Sequence, residues 1–493
     1  MADNMDNSFD VIIIGAGISG INAAYRLQEG IPDYKYTILE GRHEMGGTWS
    51  LFKYPGIRSD SDLHTFGFAW DPWKEDRCIA DAPSILRYLK DTAERHGIAQ
   101  HVQYGHQVES MNWSTEHQHW QLDVFVNGSE KPKQFYARHI LLGTGYYDYT
   151  TGLETKIPGI QNFQKGPVVH PQFWPEDLDY TDKKVVIIGS GATAVTLLPS
   201  MTDKAKSVTM LQRSPSYFLP LPLVIPIDQF IKKVFPERWA YKLIRLRFLL
   251  ISFLFVNFCR LFPQRGIKLL RAATEKELPE NIPFDPHFVP RYKPWQQRMC
   301  ITPGGDFFAA LRTGKANVVT DTIDTVTETG IQLKSGDHLD ADIIITATGL
   351  KLRMGGGAKL TVDGEPYPVN QKYVWRGAML QDLPNLTFVL GYTDASWTLG
   401  ADATSQLWVR LLKAARAKNM TSIVPRMDEK DRDLVLNKPL LNLNSSYIKA
   451  AEQDLPKGGD RGPWIPRSSY WKDIWHAKFG DIQTGLQFYR ISS

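Results

Sequence analysis

The chain is short of cysteine, of net charge and of long apolar runs, and each shortage removes a class of function. Three cysteines in 493 residues, Cys78, Cys259 and Cys300, are odd in number, widely spaced and form no C-x-x-C. They give neither a disulfide framework nor a zinc site, so no metal is expected. They also remove the dithiol-disulfide reductases, which need a redox-active cysteine pair. Lys+Arg 57 against Asp+Glu 53 leaves +4, too small an excess on this length to argue for nucleic acid. The first ten residues are polar and acidic, with no charged-then-apolar signal pattern, so a reducing cytoplasm is the expected setting. One stretch, Leu243 to Phe262, is strongly apolar and aromatic, but Arg245, Arg247 and Arg260 bracket an uncharged run of only 12 residues, Phe248 to Cys259. A bilayer span takes about 20. The stretch reads as a helix packed against its neighbours or lining a substrate tunnel, with a basic amphipathic helix lying on a membrane surface as the alternative.

What the chain does have is a nucleotide-binding fingerprint, twice. Val11-Ile12-Ile13-Ile14-Gly15-Ala16-Gly17-Ile18-Ser19-Gly20 recurs as Val185-Val186-Ile187-Ile188-Gly189-Ser190-Gly191-Ala192-Thr193-Ala194. Each apolar run reads as a buried parallel strand, and the glycines let the backbone turn tightly and approach a pyrophosphate at the next helix's N-terminus. The second strands end in opposite charges. Tyr36-Thr37-Ile38-Leu39 leads to Glu40, suited to the hydroxyls of an unphosphorylated ribose; Ser207-Val208-Thr209-Met210-Leu211 leads to Gln212-Arg213, where a guanidinium suits a 2′-phosphate. The acidic site fits the ADP half of FAD and the basic site fits NADPH. A single glycine-rich turn also occurs in ordinary strand-helix loops, but two complementary copies make that reading untenable.

The expected fold class is therefore α/β, with two Rossmann-like dinucleotide-binding domains. Residues 1–150 form the first part of the FAD-binding domain, with a small hairpin sheet over Trp113 to Val126. Residues 151–349 form the NADP-binding domain, entered through a crossover linker and interrupted over about 216–303 by a mainly helical insert. Strands are expected near Val318 and Ile331 and over Asp342 to Thr346. Residues 350–493 complete the first domain and supply C-terminal loops. Gly355-Gly356-Gly357 reads as a flexible turn, and Gly458-Gly459-Asp460-Arg461-Gly462-Pro463 as a mobile surface loop or a lid.

Between the fingerprints lies Gly166-Pro167-Val168-Val169-His170-Pro171-Gln172-Phe173-Trp174-Pro175. This Gly-x-x-x-His-x-x-x-Trp-Pro pattern resembles the signature of Baeyer-Villiger monooxygenases, with Gln164 where the family has Phe. Flavin-containing monooxygenases that oxidise nitrogen and sulfur have a different ending where Trp174-Pro175 stands. The resemblance extends over nearly the whole chain. Gly46-Gly47-Thr48-Trp49 and Tyr54 to Asp62 look like the family's flavin-proximal loops, and Pro290 to Arg298 resembles the segment that delivers its catalytic arginine. Tyr54 to Asp62 and Gly391 to Leu399 look most like the ethionamide-activating branch.

That resemblance implies a reaction and a set of roles. NADPH reduces FAD, O2 adds at the flavin C4a, and the resulting anionic peroxide attacks a ketone, giving an ester or lactone, with sulfoxidation as a side activity. Arg298 would be the fixed cation that stabilises the peroxyanion and the later oxyanion, and Asp60 its partner. Gly15, Gly17, Gly20, Glu40, Gly47, Thr48 and Trp49 would serve FAD, Gly189, Gly191, Thr193, Ala194 and Arg213 would serve NADPH, and Asp60 and Arg298 would also lie at the bound cofactors. Gln297 stands where many relatives carry a lysine that supports the choice of NADPH. Gly166, His170, Trp174 and Pro175 carry the signature, with His170 in interdomain positioning; without the resemblance His170 reads as a hydrogen-bonded structural residue. Trp49, Trp397 and Trp464 could line a closed pocket, although most of the 14 tryptophans must be packing residues. The rival readings are a heteroatom monooxygenase forming N- or S-oxides and a non-catalytic flavoprotein that senses redox state.

Overall fold

A computed structural model describes residues 7–429, 436–441, 445–467 and 469–490. Two sheets organise it, the first mixed and the second parallel, each with one fingerprint strand in a parallel core. In the first, Ser8–Ile14 lies between Tyr36–Leu39 and Lys133–Leu142, both parallel to it. Leu386–Phe388 joins in parallel beyond Lys133–Leu142, so the late chain returns to the first sheet. Val11, Ile12, Ile13 and Ile14 are all buried because both faces of the strand are covered. On one face lie the helices Ile18–Gly30 and Ala82–Arg95; on the other, an antiparallel meander of His106–Ser114, His119–Val126 and Lys133–Leu142 seals a second apolar layer around Trp113 and Trp120. The hairpin expected over Trp113 to Val126 is part of this meander.

The second sheet is wholly parallel, in the order Ala316–Thr320, Ser207–Gln212, Lys184–Ile188, Ile343–Thr346, Val168–Val169. Parallel neighbours need long crossovers, and here the crossover between Ser207–Gln212 and Ala316–Thr320 contains the insert. It opens with Phe218–Leu221 and closes with Cys300–Pro303, two short strands paired in parallel. Between them run the helices Pro226–Val234, Glu237–Leu261 and Pro263–Glu277. A three-stranded antiparallel flap, Ile323–Val326, Gly330–Leu333 and His338–Asp340, covers one side.

The long helix Trp397–Ala417 lies against Ile18–Gly30. Arg26 donates to both carboxylate oxygens of Asp402, at 2.7 and 3.1 Å, and Asn22 donates to the Ser405 hydroxyl at 3.1 Å. This contact ties the chain's last third to the first fingerprint.

One sequence expectation is extended and two change. The apolar stretch belongs to one 25-residue helix, Glu237–Leu261, which meets Pro263–Glu277 at a bend of 118°. Among the described residues no single helix is long and apolar enough to cross a membrane. The 458–463 segment is not a mobile loop: Gly458 exchanges two backbone hydrogen bonds with Lys438, Gly459 donates to Trp464 O, and Arg376 donates to Pro463 O. Turn-forming residues there shape an anchored bend. Trp464 sits inside an apolar cluster with Trp375, Leu411 and Leu486, so it packs and does not line a pocket.

Candidate active site

The site is assembled where the ends of the two fingerprint strands face each other. At the first loop, space is exhausted by backbone. A Cβ on Gly15, whose φ is +100°, would lie 2.8 Å from Gly143 O, and one on Gly20 would lie 1.9 Å from Gly15 O. No side chain fits either place without moving main chain. Glu40 fastens this turn: one carboxylate oxygen accepts from Ala16 N at 2.8 Å and the other from Arg42 N at 2.9 Å. Burial pushes its carboxyl above the usual range, opposed by these two N–H donors. A carboxylate has about four acceptor sites, so Glu40 can still take a ribose hydroxyl.

A second loop closes over the first. Gly46 N donates to Ala16 O at 3.0 Å, and Gly47 packs with its would-be Cβ 3.2 Å from Gly17 Cα. Thr48 begins the short helix Thr48–Leu51 and accepts from Tyr147 OH at 2.6 Å; half-buried Trp49 meets Phe66 edge-on at 5.5 Å. Arg42 clamps the loop from outside through the Gly47 and Ser50 carbonyls. Trp397 donates its indole N–H to Ser19 at 3.0 Å and stacks on Tyr146 at 5.0 Å. Trp49 and Trp397 therefore border this loop, whereas Trp464 does not.

The second loop repeats the pattern with more room. Gly189 has φ +142°, and a Cβ there would strike Ala347 O at 2.2 Å. Gly191, at the N-terminus of the helix Ala192–Met201, has nothing within 4 Å of such an atom. Thr193 is partly exposed and Ala194 is buried against the sheet. Gln212 is fully absorbed by the strand layer, donating to His287 O at 2.7 Å and Thr320 Oγ1 at 2.9 Å. Arg213, the next residue, is exposed and has no ion pair among the described residues. An open helix N-terminus beside a free guanidinium is a cradle that a dinucleotide phosphate fits.

The two loops are bridged by the segment after Trp49. A Cβ on Gly56 would stand 1.8 Å from Ser200 Oγ, so the 54–56 turn presses directly on the second fingerprint helix. Tyr54 lies beside Thr193, and burial pushes its phenol up to about 12, with Thr193 opposing the shift. A few residues on, Asp60 takes Arg298 in a bidentate pair, Nε to Oδ2 at 3.0 Å and Nη2 to Oδ1 at 3.1 Å. Arg298 stands just ahead of Cys300–Pro303, which fixes its backbone, and Asp60 holds its charge above the ordinary arginine value. Tyr146 and Tyr447 are electrostatic neighbours of the same guanidinium. Asp62 caps Leu63–Phe66 through Thr65 N at 2.7 Å, and Thr65 meets Ser396 at 2.6 Å, tying the loop to the Trp397 helix.

The signature residues take a supporting position. Gly166 backs onto Asp342 O, where a Cβ would lie 2.0 Å away. His170 accepts from Gln172 N at 3.2 Å through Nδ1, its Nε2 is buried without a partner, and burial pushes its pKa down. Gln172 donates to Asp148 O at 2.6 Å, which joins the signature to the strand exit of the first sheet. Trp174 is buried in the second core and Pro175 is exposed. A cavity of about 510 Å³ opens beside the arginine-delivering segment, bounded by Tyr217, Arg271, Arg291, Tyr292 and Lys293; neither Asp60 nor Arg298 lines it.

Comparison with known proteins agrees with this arrangement. A family model described as pyridine nucleotide-disulphide oxidoreductase matches residues 12–219. The FAD-containing monooxygenase EthA of Mycolicibacterium smegmatis is 44% identical over 471 residues, covering 95% of this chain and 94% of the relative. The chain belongs to the FAD-containing monooxygenases. Among solved structures it is similar to the polycyclic ketone monooxygenase of Thermothelomyces thermophila, at a TM-score of 0.76 and 16% identity, covering 99% of this chain and 90% of that one. It is also similar to cyclohexanone monooxygenase from Rhodococcus sp. Phi1 bound to NADP+, at 0.74 and 16%, covering 98% and 99%. These likenesses give an FAD-containing monooxygenase the two-nucleotide fold read from the duplicated fingerprint.

Sequence reasoning did not find Tyr146, Tyr147 or Tyr447 as neighbours of the site. A signal was available for two of them, since Tyr146-Tyr147 directly follows the Gly143-Thr144-Gly145 turn that closes against the first glycine loop.

Proposed function

We propose that the protein is an FAD- and NADPH-dependent Baeyer-Villiger monooxygenase. It consumes O2 to convert a ketone into an ester or lactone and oxidises thioethers as a side reaction. The observation that carries this reading is the bidentate Asp60–Arg298 pair, held close to the turn that presses the first nucleotide region onto the second. The names of the solved relatives, a polycyclic ketone monooxygenase and a cyclohexanone monooxygenase with NADP+, support the substrate class and the second nucleotide.

When bound, FAD reduced by NADPH supplies the activation of dioxygen. In this reading Gly15, Gly17, Gly20, Glu40, Gly47, Thr48 and Trp49 hold FAD, and Gly189, Gly191, Thr193, Ala194 and Arg213 hold NADPH. Arg298, paired with Asp60, keeps a permanent charge and would donate hydrogen bonds to a reacting oxygen without giving up a proton. It stabilises the negative oxygen that develops on the ketone carbonyl as it is attacked; one such preorganised donor is worth about 3 to 4 kcal/mol in the barrier. Asp60 fixes the guanidinium's orientation. Trp49, Phe66, Tyr146 and Trp397 exclude water, which strengthens each of these interactions. His170, with Gly166, Trp174 and Pro175, positions the chain between the two sheets and takes no proton. The same proposal sets the enzyme in a reducing cytoplasm, since Cys78, Cys259 and Cys300 are buried free thiols.

The test is to purify the yellow protein and follow NADPH oxidation with a cyclic ketone, an aliphatic ketone, a thioether and an amine, identifying products by mass. A lactone or ester is expected from the ketones. An N-oxide from the amine with every ketone returned unchanged would replace this reading with the heteroatom one.

A further inference from the structure

The insert presents an inverted amphipathic helix. In Glu237–Leu261 the side turned inward holds Ala240, Ile244, Phe248, Val256 and Cys259, together with cations that have protein partners. Arg245 donates to the carbonyls of His64, Thr65 and Gly67 at 2.7 to 3.3 Å, and Arg247 pairs with buried Asp228 at 2.6 Å. The outward stripe is Trp239, Leu246, Leu250, Phe253, Leu254 and Leu261, with Trp239 58%, Leu254 63% and Leu261 72% exposed. A helix facing water carries polar residues there. The helix cannot roll to hide this stripe, because its other face is pinned to the loop that follows Asp60. The pattern continues around the 118° bend, where Phe262 and Leu269 are exposed, and onto the preceding helix through Ile227 and Phe230. Monomeric proteins rarely leave so large an apolar surface bare.

Charge identifies what covers it. Residues 226–277 contain eleven lysines and arginines against four acids, +7, although the whole chain is only +4. Each of the four acids is engaged: Asp228 with Arg247, Glu237 with Lys74, Glu275 with Arg271 and Glu277 with Arg312. Lys233, Arg238, Lys242, Arg265, Lys268 and Lys276 have no ion-pair partner among the described residues. Lys242 lies 5.2 Å over the Trp239 ring and Arg265 5.3 Å over Phe262, so cation and apolar body sit side by side. Apolar side chains flanked by free cations match the boundary between acyl chains and anionic headgroups. A second copy docked through the same face would set +7 against +7.

We propose that the helices of residues 226–277 seat this protein on an anionic lipid bilayer, lying in one leaflet with the apolar stripe inserted and Lys233, Arg238, Lys242, Arg265, Lys268 and Lys276 on the headgroups. The proposal is independent of the reaction the enzyme performs.

The FAD-loaded protein is mixed with vesicles of equal parts phosphatidylcholine and phosphatidylglycerol, or of phosphatidylcholine alone, and floated on a density gradient. The protein is expected to float with the mixed vesicles, less as salt rises, and weakly with phosphatidylcholine alone. Leu246→Ser/Leu250→Ser/Leu254→Ser should lower partitioning roughly tenfold or more, with bound FAD and circular dichroism unchanged because these side chains are exposed. Lys242→Glu/Arg265→Glu/Lys268→Glu should abolish the preference for anionic vesicles. Absence of flotation with either vesicle, or a triple-serine variant that floats like the parent, overturns the proposal. So does a dimer in sedimentation equilibrium that the serine substitutions dissolve while vesicles capture nothing, which would assign the face to a second copy.

Discussion

The two glycine loops share one sequence pattern and differ in how much room they leave. The first is closed on every side: Gly15 against Gly143, Gly20 against Gly15, Gly47 against Gly17, with Glu40 bonded to Ala16 across the turn. The second is closed only at Gly189, against Ala347, while Gly191 and Arg213 face open space. A cofactor that stays through many turnovers suits the first, and a cosubstrate that must arrive and leave suits the second. The same G-x-G turn thus makes a socket in one place and a berth in the other, and the neighbours decide which.

The comparison breaks most visibly at Gly20. Gly20→Ala should displace main chain, lose most of the bound FAD and cost about 3 kcal/mol in stability, read by urea unfolding and by absorbance of the purified protein. Arg213→Ala should leave FAD in place and reduce the preference for NADPH over NADH by ~10- to 100-fold, the value of a hydrogen bond to a charged group at about 1.5 to 3 kcal/mol. Steady-state kinetics with both nucleotides measure it, and an unchanged ratio would remove Arg213 from the phosphate. Gly191→Ala adds a methyl to open space, so stability and bound FAD should match the parent while KM for NADPH rises roughly tenfold through lost close approach. Equal FAD loss at Gly20 and Gly191 would erase the distinction between the loops.

A smaller effect separates the regions by pH. Burial, then the charges of Lys232, Arg247 and Arg245, push His64 down from 6.5 to about 4. The unfolded chain then binds the proton more readily than the native one, so stability is lost as pH falls from 6.5 toward 4, by at most about 1.4 kcal/mol per pH unit. His64→Gln should flatten that part of the profile in unfolding curves taken at neutral and mildly acidic pH.

The fingerprints were legible because what a glycine does is decided by backbone a few residues away. Glu40 and Arg213 could be read from strand ends for the same reason. Tyr54 on Thr193, and Tyr146 and Tyr447 beside Arg298, could not, since sheet stacking brings together residues far apart in sequence. Trp464 shows the limit of residue type: an indole serves a core and a pocket wall equally well. The apolar stretch was legible as a helix, but not which of its faces is buried. Arg245 and Arg247 interrupt the hydrophobic run and suggest a wet face, yet they point inward to carbonyls and Asp228, and leucines take the outside.

The pairing of Arg298 with Asp60 at the meeting of the two loops bears the weight of the functional reading. It is tested most directly by following Arg298→Ala through both halves of catalysis: flavin bleaching by NADPH without oxygen, then lactone formation from a cyclic ketone under 18O-labelled O2. The expected result is a variant that is still reduced but forms at least ~100-fold less labelled lactone. A variant that makes labelled lactone at the parent's rate would contradict the account.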